Sequence, residues 1–219
     1  MATILCLETA TTNCSVALSV NGSVIAFKED DSAGYSHAEK LHVFIDEVLK
    51  EGKSTMGNLD AIAVSKGPGS YTGLRIGVSA AKGLCYALDI PLIAIPTLAV
   101  LAASVEEGST VIIPMLDARR MEVYSAVFND DKQEIRETKA EIVFESSFAE
   151  YLSNNKVTFV GNGVLKFKEI CGDANAIFMD EIQPSSIKMA VLAEQKYKKN
   201  DIVDVAYFEP FYLKDFKIG

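Results

Sequence analysis

The sequence predicts an α/β fold built from two similar lobes, each a mixed sheet with helices packed on it. Three observations predict this. The chain opens on three short strand-like runs, strands and helices then alternate, and from Thr110 the same order begins again more weakly. At 219 residues the chain has room for one large domain or two small ones. Its 49% hydrophobic and 23% charged residues suit a protein with a sizeable core and exclude disorder as the main state.

Residues 4–8 form an apolar run and residues 15–20 alternate. Asn21-Gly22 follows, and residues 23–27 return. Asn-Gly between two such runs signals a hairpin, because both turn residues need positive φ. A three-stranded antiparallel meander therefore opens the chain. Residues 37–50 read as a helix, with Leu41, Phe44, Ile45, Val48 and Leu49 on one stripe. Ser36 is placed as its N-cap with Glu39 three residues on, and Gly52 follows its end. Residues 61–64 are a buried strand running into Lys66-Gly67-Pro68-Gly69. A helix over 73–88, a strand over 91–95 and a helix from Pro96-Thr97 to about residue 104 complete the half. This β-β-β-α-β-α-β-α order is that of a ribonuclease-H-like lobe.

The second half repeats it. Strands are expected over 111–116, 122–128, 134–138, 158–160 and 176–178, with helices over 146–152, 164–170 and 185–199. The acidic stretch at 104–108 marks the boundary, which gives lobes 1–106 and 107–205. The tail from about 206 to 219 is expected to return to the first lobe.

The formal net charge of −9 gives no general positive field for neutralising phosphates, so a free-standing nucleic-acid binder is not expected, although a local basic patch or a basic partner could bring nucleic acid close. Cys6, Cys14, Cys85 and Cys171 form no CxxC and no zinc pattern, so they read as reduced, mostly buried thiols. Cys6 and Cys14 are placed facing each other across a hairpin. The N-terminus has no basic stretch, and its apolar run is cut by Glu8, so it starts a strand and not a signal peptide. The longest apolar stretch, around 91–104, contains two prolines and is too short to span a bilayer. A soluble cytoplasmic protein without membrane contact is expected.

Four segments carry candidate chemistry. The Gly-rich loop at 67–77 joins a strand to a helix, where free N–H groups can hold an anion or merely make a tight turn. It is neither a Walker A loop nor G-x-G-x-x-G, since Thr72 stands where the third glycine belongs. The tip Glu8-Thr9-Ala10-Thr11-Thr12-Asn13 can cradle phosphate with Glu8 on Mg²⁺, or be an ordinary turn. Asp117-Ala118-Arg119-Arg120 can clamp phosphate or a partner's carboxylate, or be a solvated turn. Gly161-Asn162-Gly163 can accept a base or simply turn the chain. His37 and His42, five apart on a helix, point about 140° away from each other and make no metal pair. Neither has a Ser or Cys nucleophile partner evident in sequence, which leaves a hydrolytic triad unsupported.

The helix after the Gly-rich loop is rich in small residues. Leu74, Val78, Ala81, Cys85 and Leu88 form one stripe, and Ile76, Ala80, Gly83 and Ala87 lie on another face. Two small apolar faces fit either burial inside one lobe or a helical subunit interface.

Residues 4–18 (I-L-C-L-E-T-A-T-T-N-C-S-V-A-L), 36–41 (S-H-A-E-K-L), 67–83 (G-P-G-S-Y-T-G-L-R-I-G-V-S-A-A-K-G) and 117–124 (D-A-R-R-M-E-V-Y) resemble the TsaB family, also called YeaZ. Residues 160–164 (V-G-N-G-V) and 210–214 (P-F-Y-L-K) resemble its later motifs, so the likeness covers essentially the whole chain. The resemblance implies a two-lobed ASKHA fold, as in actin and sugar kinases. It implies a part in making N6-threonylcarbamoyladenosine at position 37 of tRNAs that read ANN codons. The catalytic subunit would be TsaD, paired through helices of the first lobe, with the small ATPase TsaE joining them. Another enzyme would supply threonylcarbamoyl-adenylate.

The catalytic subunit carries His-Met-Glu-Gly-His where this chain has Pro96-Thr97-Leu98-Ala99-Val100, so no metal and no catalytic residue is assigned here. Active ASKHA proteins carry a Gly-rich acidic turn where Arg119 and Arg120 stand, which should crowd a triphosphate. The resemblance thus implies a scaffold whose partner interface is Gly73, Leu74, Ile76, Gly77, Ala80, Ala81, Gly83 and Ala87, with His37 and Lys40. Glu8, Thr11, Thr12, Asn13, Arg119 and Arg120 remain the candidate nucleotide or phosphate contacts, and Arg75 a candidate partner contact. No cofactor is assigned to this chain; ATP or ADP with Mg²⁺ fits the subunit interface of the complex. The isolated chain is compatible with a homodimer, and tRNA is engaged only through the complex. The competing reading is a nucleotide-hydrolysing ASKHA enzyme, an ATPase or kinase, acting alone.

Overall fold

Two five-stranded sheets with the same strand order account for the architecture of the computed structural model. It describes residues 1–31, 37–106, 108 and 110–214. The chain divides into two units, Met1–Val100 with Pro184–Gly219, and Leu101–Gln183.

In the first unit, β1 (Thr3–Glu8) pairs antiparallel with β2 (Cys14–Val20), and β2 with β3 (Ser23–Asp30). Asn21 and Gly22 take φ of 52° and 77°, as the hairpin signal requires. β4 (Ala61–Gly67) lies parallel to β1, and β5 (Leu92–Pro96) parallel to β4. The order is β3-β2-β1-β4-β5. Helices α1 (His37–Glu51), α2 (Tyr71–Leu88) and α3 (Thr97–Ala102) fill the connections. Ser36, the expected cap of α1, lies outside the described residues. α2 starts two residues earlier than expected, because the Ser70 hydroxyl accepts the Gly73 N–H and caps it there.

Both faces of the central strands are buried, which is why β1 reads as an unbroken apolar run. Leu5 and Leu7 face Leu41, Ile45 and Val48 of α1 and Val78 and Ala81 of α2. Ile4 and Cys6 face the other way, towards Met189, Ala190 and Ala193. Those three belong to α6 (Ser186–Lys198). The sequence reading placed this helix in a lobe spanning 107–205; it packs instead on the first sheet, whose second face needs a cover. The following segment stays on the same unit, with Val203 bridging Leu92 and the Phe211 N–H donating to Lys66 O at 2.7 Å.

In the second unit, β6 (Val111–Asp117), β7 (Glu122–Asn129) and β8 (Glu134–Ile142) make the meander. β9 (Val157–Val160) lies parallel to β6, and β10 (Ala176–Met179) parallel to β9. The order β10-β9-β6-β7-β8 repeats the first sheet. The helices here, α4 (Ala149–Leu152) and α5 (Val164–Lys168), are short. Phe159 anchors this core, with ring centroids 4.9 Å from Phe167, 5.5 Å from Phe178 and 5.7 Å from Phe148. α4 begins at Ala149 rather than 146, because Phe148 turns left-handed at φ 63° and keeps its ring in that cluster.

Cys6 stands opposite Ala17 in the β1–β2 register, and Cys6 and Cys14 fall in cores on opposite faces of the sheet. They do not face each other. Burial pushes the Cys6 and Cys85 thiols up to about 12 and Cys14 up to about 11. Ellman's reagent should therefore titrate only the half-buried Cys171 in the folded protein and all four thiols after denaturation. Fast labelling of Cys6 with the fold intact would contradict this.

Candidate functional site

The polar tip between β1 and β2 is buried, not exposed. Glu8, Thr9, Ala10, Thr11 and Asn13 are each at most 6% accessible. Room for the tip comes from three glycines spaced four apart, which bring α2 and its leading loop into backbone contact with it. A Cβ on Gly69 would sit 2.4 Å from Ala10 O, one on Gly73 2.1 Å from Thr9 O, and one on Gly77 2.3 Å from Thr9 Oγ1. Hydrogen bonds seal the contact: Thr9 Oγ1 donates to Gly73 O at 2.8 Å, and the Ser70 N–H to Ala10 O at 2.7 Å.

Glu8 is fully enclosed. Its Oε1 accepts the Ala10 N–H at 2.7 Å, and its Oε2 accepts the Ser65 hydroxyl. Burial lifts its pKa from 4.5 to about 7; the hydrogen bonds from Ser65 and the backbone oppose the rise, and the Glu29 charge adds to it. A carboxylate that holds a metal-bound phosphate needs a lone pair open to the ion, and Glu8 is 0% accessible. The Thr11 hydroxyl accepts the Asn13 N–H at 3.3 Å. The Asn13 amide donates to Glu29 at 2.6 Å and to Pro184 O at 2.9 Å, and Thr12 donates to Asp31 at 3.0 Å. The tip does not fit Mg²⁺ with a triphosphate, and no chemical step is routed through one.

His37 is 1% accessible, and its Nε2 lies 2.7 Å from Thr11 O. A carbonyl only accepts, so Nε2 carries the hydrogen. This histidine holds the tip from the side of α1. Lys40 forms an ion pair with Asp30 on β3.

The small residues of α2 divide into two sets. Gly73, Leu74, Gly77 and Ala81 are buried against their own unit, which accounts for them without a partner. Ile76 and Ala80 are half-buried, while Gly83 and Ala87 are exposed. A Cβ on Gly83 would meet nothing within 4 Å. Tyr86, three residues on, is 86% accessible. Arg75 lies 4.2 Å from the Tyr71 ring and its Nε donates to the Tyr212 hydroxyl at 3.4 Å, which ties the tail to the start of α2. The sequence reading expects the tail to return to the first lobe but does not name Tyr212 as the partner of Arg75.

In the second unit, Arg119 and Arg120 occupy the exposed β6–β7 turn with φ of 70° and 51°. Left-handed backbone costs an L-residue about 1 kcal/mol or more. The turn is closed by the Ala118 N–H to Glu122 O at 3.0 Å and the Glu122 N–H to Arg119 O at 3.2 Å. Asp117 Oδ1 accepts the Arg119 N–H at 2.6 Å, and the Asp117 N–H donates to Asn162 Oδ1 at 2.9 Å. Lys166 Nζ lies 3.0 Å from Asp117 and donates to Glu122 O at 3.0 Å. Gly163 admits the backbone of β6, since a Cβ there would sit 2.8 Å from Leu116 C. Asn162 and Lys166 were not singled out for this task by sequence reasoning. Among the described residues, no three His, Cys, Asp or Glu side chains are grouped to hold a metal ion.

Residues 31–218 match the family described as TsaD, tRNA N6-adenosine threonylcarbamoyltransferase. The chain is 32% identical to the tRNA threonylcarbamoyladenosine biosynthesis protein TsaB of Escherichia coli (strain K12), over 97% of this chain and 94% of that one. It is 30% identical to the protein of the same name from Haemophilus influenzae, again over 97% and 94%. Among solved structures, YeaZ from Pseudomonas aeruginosa superposes with a TM-score of 0.83 at 26% identity, covering 97% of this chain and all of that one.

Proposed function

The chain belongs to the TsaB family, and from that premise we propose that it is a non-catalytic scaffold and activating subunit. The complex it serves installs N6-threonylcarbamoyladenosine at position 37 of ANN-decoding tRNAs. The chain pairs with the catalytic TsaD subunit and helps to recruit the TsaE ATPase.

One observation carries this reading. A glycine inside a helix costs about 1 kcal/mol against alanine, so it needs a reason. Gly73 and Gly77 have theirs in Thr9, but among the described residues nothing lies within 4 Å of a Cβ placed on Gly83. Its reason is the close approach of another helix, and Ile76, Ala80 and Ala87 extend the same outward face. The competing enzyme reading needs an open Glu8, and this carboxyl is buried with hydrogen bonds to Ala10 and Ser65.

Replacing Gly83 with Trp tests the pairing without disturbing the fold, because the side chain projects into open space. Affinity for the TsaD subunit should fall at least tenfold by titration calorimetry, about 1.4 kcal/mol, with a melting temperature no lower than that of the wild type. Threonylcarbamoylation in a reconstituted system should fall with it. Full affinity in the variant, or ATP turnover by the isolated wild-type chain, would overturn the scaffold reading.

A further inference from the structure

We propose that the Arg119–Arg120 turn is an RNA contact, in which the two guanidinium groups bind phosphodiester oxygens of the tRNA held by the assembled complex. This rests on the family reading above and assigns a task to the second unit, which that reading leaves without one.

The chain itself supplies the comparison. At its β2–β3 turn it places Asn21-Gly22 in the left-handed region, the residues that adopt it most easily. At the β6–β7 turn it places two arginines in the same conformation. Stability alone would favour Asn-Gly at both turns. Left-handed non-glycine backbone occurs singly elsewhere, as at Lys53 and Lys132, but among the described residues only this turn places two such residues in a row, and backbone strain of this kind clusters where side chains are used.

The surroundings hold the turn without occupying its side chains. Asp117, Asn162 and Lys166 fix the backbone through the contacts described above, and Gly163 lets that loop close on β6. Asp117 and Glu122 flank the pair in sequence, and the Asp117 carboxylate is spent on Lys166 and on the Arg119 N–H. Among the described residues, neither guanidinium meets a carboxylate, although the chain carries 30 acidic side chains against 21 basic ones. Two cations left open in so acidic a chain fit an anionic ligand from outside.

Exposed apolar residues lie at the same end of the sheet. Met121 is 40% accessible, Ile142 55% and Phe144 62%, and the Val143 N–H donates to Met121 O at 2.9 Å, which sets the end of β8 beside the backbone of the turn. Arginines and an exposed aromatic residue at one end of a sheet suit an RNA backbone whose unstacked bases need a platform. The net charge of −9 opposes RNA binding by the chain alone, which makes the contact dependent on the partner's own RNA surface.

The test variant is Arg119→Asn with Arg120→Gly, which removes both charges while giving the turn its preferred residues. Its melting temperature should rise, so misfolding cannot explain a loss. Combined with the TsaD subunit, it should assemble normally and bind tRNA roughly tenfold more weakly. KM for tRNA should rise with kcat retained. The slope of log K against log salt should become shallower by about 0.7–0.9 for each lost phosphate contact. Arg119→Lys with Arg120→Lys should keep most of the slope. Unchanged tRNA affinity and salt slope in a complex that still modifies tRNA would overturn this inference and leave the scaffold reading intact. Weakened assembly in the absence of tRNA would overturn it in favour of an acidic protein partner. A wild-type complex that does not depend on this chain would remove the family reading instead.

Discussion

A Gly73→Ala variant should lose about 3 kcal/mol of stability or more, enough to threaten folding in a domain typically stable by 5–15 kcal/mol. The added methyl would sit 2.1 Å from Thr9 O. That oxygen belongs to the backbone of a buried tip, which is also tied by Thr9 Oγ1 to Gly73 O and by Ser70 N–H to Ala10 O. It cannot rotate away as a flexible side chain could. Gly83→Ala, ten residues on in the same helix, should have the opposite sign. It meets nothing within 4 Å and should gain about 1 kcal/mol from helix propensity. Urea denaturation of the two variants reads both effects. Equal midpoints would mean that the tip does not dock on α2 as described.

The second large effect is a dependence on pH carried by Glu8. Burial lifts this carboxyl from 4.5 to about 7. Between those values the unfolded chain ionises first and the folded chain keeps its proton. The folded state then binds more protons, so stability falls as pH rises. Below 4.5 the term vanishes, and above 7 it is fully developed at about 3 kcal/mol, from 1.36 kcal/mol per pH unit. Glu8→Gln keeps an acceptor for Ala10 and a partner for Ser65 but cannot ionise. It should match the wild type near pH 4.5 and exceed it by about 3 kcal/mol at pH 8. Denaturation at the two pH values gives the difference directly, and parallel curves for the two proteins would show that Glu8 ionises freely in the fold.

The strands were legible because their signals are local. Asn21-Gly22 set the first turn, and alternating or fully apolar runs gave strand positions in both units. The assignment of α6 failed because sequence adjacency argued for the second lobe. Ile4, Cys6, Ala63 and Ile93 held the correction, since a strand apolar on both faces needs cover on both. With α1 and α2 on one side, a later helix had to supply the other. The sequence offered the tip at 8–13 as a phosphate cradle or an ordinary turn, and gave no sign that it is buried. Its burial depends on Gly69, Gly73 and Gly77 meeting it from far along the chain, which no local pattern records. Gly73 and Gly77 were expected at an interface for the same reason: a small residue in sequence does not say whether the close neighbour is internal or foreign. The Arg119–Arg120 turn was found as a motif, but its bracing by Asn162 and Lys166 appears only in three dimensions.

The division of the first unit into Met1–Val100 and Pro184–Gly219 imposes an order on biosynthesis. The second unit is contiguous and can close as soon as it leaves the ribosome. The first cannot, because Met189, Ala190 and Ala193 are translated after the whole of the inserted unit. At 5–20 residues per second, the face formed by Ile4, Cys6, Ala17 and Ile93 stays bare for seconds. A nascent chain with that surface is a client for chaperones, and fragments that end before α6 should aggregate even though they contain every strand of both sheets.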